Sequence, residues 1–277
     1  MLRSFTTLKN EEITSIAIGG FDGMHKAHQE LFKKLDKNGL ILVIDKGFSN
    51  LTPNEYRCKF FKNGCIFLNL SDVKELSAKE FIEFLKDSFP SLKKVVVGYD
   101  FRFGKNRDGD ITLLKSEFDL EVVEEIKIDG VSVHSQTIRE FLQDGNITMS
   151  NKLLGRNYQI TSFTKSGQGL GKEKLVPTIN LKKTDFLLPK SGVYATKTKI
   201  EKEWHNSITF IGHRVTTDGE FAVETHLLDK NIDFLPTKVD IMFFNFIRDN
   251  KRFDTIEALK KQIQKDIKKV KVILETK

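Results

Sequence analysis

Two histidines three positions apart follow a glycine-rich turn near the start of this chain. His25 and His28 come directly after Gly19-Gly20-Phe21-Asp22-Gly23, between an apolar stretch at residues 14–18 and a helical pattern at residues 25–35. Glycines in such a turn let backbone N–H groups approach phosphate oxygens, and a helix N-terminus favours negative charge. Imidazoles on one helical face donate hydrogen bonds to phosphates and, when protonated, offset the charge of a departing pyrophosphate. The pattern predicts a triphosphate-binding loop, with His25 and His28 as catalytic residues and Gly20, Phe21, Asp22 and Gly23 as phosphate-binding residues.

Two other interpretations of this turn stay open. Short motifs often arise by chance, and a surface turn followed by two ordinary histidines fits the same residues. A zinc site is the weaker alternative, because no cysteine lies near the histidines and neither Cys58 nor Cys65 has ligand spacing.

The composition is that of a globular chain with room for two domains. Its 277 residues, 39% hydrophobic and 30% charged, can bury a sizeable core. No apolar stretch is long enough to span a bilayer, and the first residues lack a signal-peptide core, so we expect a cytoplasmic protein without membrane contact. Two cysteines do not make a disulfide framework, and we expect both to be reduced structural residues.

The net charge of +7 comes from 45 Lys and Arg against 38 Asp and Glu, which are interleaved along the chain. The densest basic run, residues 260–271, falls in a predicted C-terminal helix, where a solvated face explains it. We therefore expect no nucleic-acid partner. A mildly positive protein does suit anionic nucleotide substrates.

Strand-like and helix-like segments alternate through the first half of the chain. Apolar runs predict strands at residues 14–18, 40–44, 65–70, 94–98 and 120–126. Helical periodicity predicts helices at residues 25–35, 53–62, 77–88, 111–118 and 135–143. This alternation predicts an α/β fold with a parallel, doubly wound sheet. Ligands of such sheets gather beyond the carboxyl ends of the strands, where the glycine turn lies.

The pattern changes after residues 144–146. Glycine turns separate β-branched runs at residues 192–200, 207–211 and 221–227, and a long helix is predicted from about Thr255. These features indicate an antiparallel β domain with a terminal helix. We place the domain boundary near residue 150, which gives domains 1–150 and 151–277.

A second polar loop follows the predicted strand at residues 94–98. It combines aromatic rings, arginines and glycines, so it can stack on a planar ring system and grip phosphate. By composition alone an ordinary polar loop is as good an account. The candidates for binding a planar ring system or a phosphate are Asp100, Phe101, Arg102, Phe103 and Arg107.

These motifs resemble those of the bacterial bifunctional riboflavin kinase/FAD synthetase family. Residues 19–28 are similar to its G-x-F-D-G-x-H-x-G-H signature, with Ala27 in place of a glycine, and residues 97–110 nearly complete its V-G-x-D-F-R-F-G-x-x-R-x-G-D signature. Residues 133–139 are similar to the phosphate-binding S-S-T-x-I-R element. There Ser135 and Arg139 match, and His134 and Gln136 replace a serine and a threonine.

Two features limit what this resemblance implies for the first half. Ser135 also fits a simple helix cap. Residues 45–48 differ from the family's Phe-x-Pro segment, so no binding role is assigned to that loop.

The second half resembles riboflavin kinases. Residues 177–180 are similar to the P-T-x-N element, which implies Thr178 and Asn180 as magnesium ligands. The glycine-rich segment before it supplies the phosphate-binding candidates Gly169, Gly171 and Lys172. Leu175 and Ile179 replace a glycine and an alanine of the family, and their bulk is expected to narrow the pocket.

Glu224 matches the family's kinase glutamate, which accepts the proton of the riboflavin 5′-hydroxyl. By composition alone an exposed strand residue is the simpler account. Residues 211–216 keep only part of the family's I-G-x-R-P-T element.

The resemblance covers residues 15–269, nearly the whole chain. It implies a nucleotidyltransferase domain followed by a small antiparallel β-barrel kinase domain with a C-terminal helix. The implied enzyme is a transferase that phosphorylates riboflavin with ATP and adenylylates FMN to FAD with release of pyrophosphate, using Mg²⁺. One alternative is an FMN adenylyltransferase whose kinase activity is lost through Leu175, Ile179 and Val215. The other is a non-catalytic regulator that binds a flavin or a nucleotide.

Overall fold

The computed structural model describes residues 2–166, 176–228, 230 and 234–276. Within this part the chain divides into two compact units, one ending at Ser135 and the other beginning at Gln136. No helix of the described residues combines the length and the apolar character needed to cross a membrane.

The first unit is built on a six-stranded sheet. Its strands are β1 Leu2–Phe5, β2 Ser15–Gly19, β3 Gly39–Asp45, β4 Cys65–Asn69, β5 Lys94–Gly98 and β6 Asp119–Val123. They lie in the order β1-β4-β3-β2-β5-β6, and β2 to β6 are parallel, which confirms the predicted doubly wound sheet. The short edge strand β1 is not predicted, and it runs antiparallel to β4.

The described residues of this unit form four α-helices: α1 Lys26–Lys33, α2 Leu70–Val73, α3 Ala78–Ser88 and α4 Ile111–Glu117. Ser77 caps α3 by accepting the N–H of Glu80, while the Glu80 carboxylate accepts the N–H of Ser77. A short hairpin of β7 Lys127–Ile128 and β8 Val131–Ser132 follows β6. The helix predicted at residues 53–62 is wrong in type, because Asn54–Phe60 forms a 3₁₀ helix that starts at a residue with a φ of 51°.

Alternate residues of the central strands enter two separate cores. In β2, Ile16 and Ile18 pack with one hydrophobic cluster and Ala17 packs with the other. Because successive side chains of a strand point to opposite faces, both faces of the sheet are covered. This burial on both sides explains why the strands are continuous apolar runs and why their carboxyl ends are the positions left for a ligand.

The cysteines contradict the prediction of two reduced thiols. Cys58 and Cys65 form a disulfide with their Cα atoms 5.1 Å apart. Cys58 lies in the 3₁₀ helix and Cys65 is the first residue of β4. The number of cysteines could not reveal this pairing, because the turn between the two elements brings them together.

The second unit is a closed antiparallel barrel. Its strands are β9 Tyr158–Lys165, β10 Ile179–Leu181, β11 Gly192–Ile200, β12 Glu203–His213, β13 Phe221–Leu227 and β14 Lys238–Asp249. Their order around the barrel is β10-β13-β12-β11-β14-β9, and β9 closes it by pairing with β10. The helices among the described residues of this part of the chain are α5 Ser135–Gln143, α6 Ile147–Leu154 and α7 Ile256–Glu275. These elements confirm the predicted barrel and its C-terminal helix.

Helix α7 begins where the sequence predicts, since the Thr255 hydroxyl accepts the N–H of Ala258. Val270 and Leu274 on α7 pack against Val193 and Phe244 of the barrel. The carboxylate of Asp266, buried on the same helix, accepts hydrogen bonds from Arg248 on β14.

A ring of five hydroxyl groups occupies the barrel interior. Thr196, Thr198, Ser207, Thr209 and Thr225 are all fully buried. Each side-chain oxygen lies 2.8–3.0 Å from two others, so the five form a closed cycle. In such a cycle every hydroxyl can donate once and accept once, which satisfies polar groups that would otherwise be costly to bury.

We expect Thr209→Val to lower the free energy of unfolding by about 1–3 kcal/mol, because it leaves Thr196 and Thr225 each short of one buried partner. Urea denaturation of the full chain measures the change. The matched control is Thr237→Val, at an exposed residue just before β14, which should stay within about 0.5 kcal/mol of the parent. Equal effects of the two variants would contradict the role of the ring.

Candidate active sites

The predicted phosphate loop joins the central strand β2 to α1. Phe21, Gly23 and Met24 all have left-handed backbone, with φ values of 50°, 85° and 44°. Gly23 adopts this conformation at no steric cost, whereas Phe21 and Met24 are strained. The loop therefore has a defined, tightly turned shape at the carboxyl end of the central parallel strand.

The two histidines lie together at the start of α1. His25 is the N-cap residue, and its Nδ1 accepts the backbone N–H of His28 at 3.4 Å. The two rings are stacked, with centroids 3.5 Å apart and planes 19° apart. A neutral His25 that accepts at Nδ1 carries its proton on Nε2. The geometry thus confirms that the pair shares one face at a helix N-terminus.

Among the other loop residues, Phe21 and Asp22 have buried side chains, whereas Gly20 has open space beside it. The Phe21 side chain is 2% exposed and packs edge-on against the rings of His28 and Phe32, so only its backbone is available to a phosphate. The buried Asp22 carboxylate accepts three backbone N–H groups, those of residues 50, 51 and 52. A Cβ at Gly20 would meet nothing closer than 3.9 Å, which leaves room beside that residue.

The substitution of Ala27 for the family's glycine is compatible with this backbone. Ala27 lies within α1 and is not among the residues of positive φ. A methyl group at a helical position carries no conformational cost.

The loop after β5, residues 99–110, is closed by contacts between its own residues. Phe103 and Gly109 form a β-bridge, and a Cβ at Gly104 would lie 2.7 Å from the backbone nitrogen of Ala78. The Phe101 and Phe103 rings are stacked 5.8 Å apart, and Phe103 is also packed on Phe81.

The polar candidates of this loop lie at its surface. Asp100, Arg102 and Arg107 are exposed, and Arg102 forms an ion pair of 3.2 Å with Asp110. Arg107 has no ion pair with a residue that the structure describes. The buried Phe103 therefore shapes the loop, while Phe101 and the exposed polar side chains are the ones left for a ligand.

Ser135 joins the start of α5 to the phosphate loop. Its hydroxyl donates to the carbonyl of Asp22 at 2.7 Å. Arg139 lies one turn further along α5, as the motif requires. His134 and Gln136 are the two residues that differ from the family's S-S-T-x-I-R element. His134 is half-buried, and the exposed Gln136 donates to the Glu140 carboxylate on the same helix.

In the barrel, Asn180 and Glu224 are directly opposite each other on β10 and β13. Opposite residues of an antiparallel pair point to the same face, and Thr178 is two residues before Asn180. His226 on that face donates from Nδ1 to the Pro177 carbonyl at 2.7 Å, which holds the segment carrying Thr178 against β13. Thr178, Asn180 and Glu224 are therefore brought together.

Glu224 has a half-buried carboxylate with a cationic neighbour. Burial raises the pKa of Glu224 above its ordinary value, and Arg214, whose Nη1 lies 3.2 Å from Glu224 Oε1, partly offsets that rise. Arg214 also pairs with Asp218 at 2.8 Å. The carboxylate thus has the raised basicity that suits a proton acceptor.

Ile179 lies on the other side of β10 from these polar groups. It is 5% exposed and pairs with Thr225, a member of the hydroxyl ring, so its bulk fills the barrel interior. The predictions for Gly169, Gly171, Lys172 and Leu175 fall outside the described residues.

Sequence reasoning missed the contacts of four residues that support these sites. Arg57 and Asp45 form an ion pair beneath the phosphate loop, in a region to which no role was assigned. His226 holds the Thr178 segment. The motif contained Arg214, but only the fold shows that it contacts Glu224.

The two units resemble two enzyme families. Residues 45–138 match the model of the FAD synthetase family, and residues 154–274 match that of the riboflavin kinase family. A Pseudomonas fluorescens protein called bifunctional riboflavin kinase/FMN adenylyltransferase is 27% identical, with 96% of this chain and 95% of that protein covered. A protein of the same name from Buchnera aphidicola subsp. Acyrthosiphon pisum is 29% identical, with 96% of each covered.

A solved structure has the same fold over almost the whole length. It is titled a macrolide-efflux protein from Streptococcus pneumoniae, with a TM-score of 0.84, 25% identity and 94% of both chains covered. The activity in that title is said of that protein, and the likeness concerns the fold. Together the two family matches and the full-length relatives define a two-part flavin nucleotide transferase. The chain belongs to the bifunctional riboflavin kinase/FAD synthetase family.

Proposed function

We propose that the first unit transfers an adenylyl group from ATP to FMN and that the barrel transfers a phosphoryl group from ATP to riboflavin. The observation that carries the first assignment is the stacked His25–His28 pair at the N-terminus of α1, beside a tightly turned glycine loop. For the second it is the pairing of Asn180 with Glu224 on one barrel face. Each unit thus has its own set of chemically suitable residues.

In adenylyl transfer, a phosphate oxygen of FMN attacks the α-phosphorus of ATP. The bond from that phosphorus to the bridging oxygen of the β-phosphate breaks, and pyrophosphate leaves. Because FMN already supplies an anionic nucleophile, no covalent enzyme intermediate is needed, and the protein contributes positioning and charge stabilisation. The N-terminal end of α1 and the imidazole N–H groups of His25 and His28 would stabilise the departing charge.

In phosphoryl transfer, the riboflavin 5′-hydroxyl attacks the γ-phosphorus of a second ATP. Its proton passes to the Glu224 carboxylate, and ADP leaves. Arg214 favours the ionised form of that carboxylate, which burial disfavours. His226 keeps the Thr178 segment beside it.

The oxygen donors of Thr178 and Asn180 fit Mg²⁺, which prefers oxygen ligands and keeps nucleotide phosphates among them. No cluster of three His, Cys, Asp or Glu side chains in the described residues is placed to hold a metal by itself. These two residues would hold an ion that arrives with the nucleotide, and that ion would neutralise charge on the phosphates.

The kinase reaction should lose rate on acidification at a pH above the ordinary pKa of a glutamate. Burial raises the pKa of Glu224, and the base is lost when the pH falls through that raised value. Arg214→Met removes the neighbouring cation, so the acid limb of kcat/KM for riboflavin should move to higher pH. FMN adenylylation by the same variant is the control and should keep its profile. An acid limb that stays in place or moves to lower pH would contradict this account of Glu224.

A time course with riboflavin, ATP and Mg²⁺ tests the proposed division of labour. We expect FMN to appear first and FAD to follow, with both steps stopped by excess chelator. Conversion of supplied FMN but not of riboflavin would overturn the kinase assignment and leave an adenylyltransferase with a barrel that does not turn over. The substrates are small molecules, and we expect them to meet the enzyme in the cytoplasm.

A further inference from the structure

A buried cation, the guanidinium of Arg57, donates a hydrogen bond to the backbone of the phosphate loop. Arg57, in the 3₁₀ helix Asn54–Phe60, is 1% exposed. Burying a guanidinium is costly unless its donors are satisfied and its charge is paired. The Arg57 Nη1 donates to the Gly20 carbonyl at 2.9 Å and to Ser49 Oγ at 3.2 Å. Its Nε donates to the Asn54 carbonyl at 3.2 Å, and its Nη2 donates to Asp45 Oδ1 at 3.4 Å. The guanidinium also lies 4.7 Å from the centroid of the Phe67 ring.

Of these contacts, the one to Gly20 bears on catalysis. In a trans peptide a carbonyl and the N–H of the next residue point in opposite directions. A Gly20 carbonyl that is held by Arg57 therefore turns the N–H of Phe21 away from the guanidinium. That N–H belongs to the glycine loop proposed to bind phosphate, and the Phe21 side chain is buried, so the backbone is the part of Phe21 that can contribute.

The loop is also attached at a second point. The Asp22 carboxylate accepts the N–H groups of residues 50, 51 and 52, which belong to the same segment that carries Ser49 and Arg57. The far end of this segment is anchored as well, because Cys58, the residue after Arg57, is bonded to Cys65 at the start of β4. Residues 49–58 thus connect β4 to the phosphate loop through the disulfide and these hydrogen bonds.

We propose that Arg57 is a positioning residue for adenylyl transfer. It sets the orientation of the Gly20–Phe21 peptide, and through it the shape of the loop in front of His25, without touching substrate. The inference rests on the proposed function of that loop. Arg57 acts through the fixed, planar arrangement of its guanidinium N–H donors, which a lysine ammonium lacks.

The chain provides a matched control in Arg3. Its guanidinium shares two partners with Arg57, since it pairs with Asp45 at 2.9 Å and lies 5.2 Å from the centre of the Phe67 ring. The Arg3 side chain is, however, 52% exposed, and its contacts do not include Gly20. A comparison of the two arginines separates the loop contact from the shared ion pair.

The test measures kcat and KM for FMN adenylylation, the rate of riboflavin phosphorylation and the melting temperature of the full chain. A misplaced reacting group can cost about a hundredfold in rate. We expect Arg57→Met to lower kcat/KM for adenylylation by about tenfold to a hundredfold, mainly through kcat, with phosphorylation within about twofold of the parent. Arg57→Lys should lose less, but at least severalfold, and Arg3→Met should match the parent in both reactions.

Three results would overturn the proposal. One is parental adenylylation by Arg57→Met at a temperature where it is folded, since that indicates a purely structural role. Another is an equal loss in Arg3→Met. If Arg57→Met does not fold, Arg57→Lys decides, and parental adenylylation by that variant rejects the proposal. The effect of His28→Ala shows whether the role of Arg57 or the proposed function of the loop has failed. If His28→Ala is impaired and Arg57→Met is not, only the role of Arg57 fails, whereas unimpaired His28→Ala rejects the proposed function of the loop.

Discussion

Replacing His28 by alanine is expected to slow FAD formation from FMN and ATP by about a hundredfold to a thousandfold, the usual cost of one preorganised donor to developing charge. The variant should keep the start of α1 intact. The cap of α1 uses the backbone N–H of His28, which alanine keeps, and alanine is the best helix former. The measurement is the steady-state rate of FAD and pyrophosphate formation at saturating substrates.

Two controls accompany the His28 variant. Riboflavin phosphorylation by the same chain should stay at the parental rate, because Glu224 and Asn180 are untouched. His213→Ala removes an exposed barrel imidazole that packs on Phe221, and it should leave FAD formation unchanged. FAD formation at the parental rate in His28→Ala would reject the role of the imidazole in pyrophosphate departure.

Glu224→Gln should abolish FMN formation from riboflavin while leaving FAD formation from supplied FMN intact. Glutamine keeps the shape of the side chain but cannot accept a proton, and general-base catalysis accounts for about a hundredfold to ten-thousandfold in rate. The assay follows each product separately after adding either riboflavin or FMN.

The matched control for Glu224 is Glu220→Gln. Glu220 is exposed and comes just before β13, so its substitution should leave both activities unchanged. Loss of both activities together in Glu224→Gln would contradict the proposed division into two separate sites.

Local patterns predicted the elements that bury alternate or continuous apolar residues. The runs that became β2, β3 and β5 are apolar on both faces, so their parallel arrangement could be predicted. The N-cap at Thr255 is a local signal, and α7 begins there. By contrast, β1 has one half-buried and three exposed residues, and its place at the sheet edge is decided by pairing with β4.

Several contacts that the sequence does not reveal join distant parts of the chain. Arginines are mostly exposed, and the sequence does not reveal that Arg57 is buried and contacts the distant Gly20 carbonyl. The hydroxyl ring draws on β11, β12 and β13, whose threonines suit a strand but do not reveal that they meet. Motif spacing could place His25 and His28 on one face, while the stacking of their rings depends on the positive-φ turn before them.

The most direct test of the account uses ATP labelled at different phosphorus atoms, with riboflavin as the starting flavin. Label at the γ-phosphorus should enter FMN and then FAD, whereas label at the α-phosphorus should appear in FAD and not in FMN. With FMN as the starting flavin, γ-label should leave entirely as pyrophosphate. Release of ADP or orthophosphate in that step, or FAD without α-label, would contradict adenylyl transfer by the first unit.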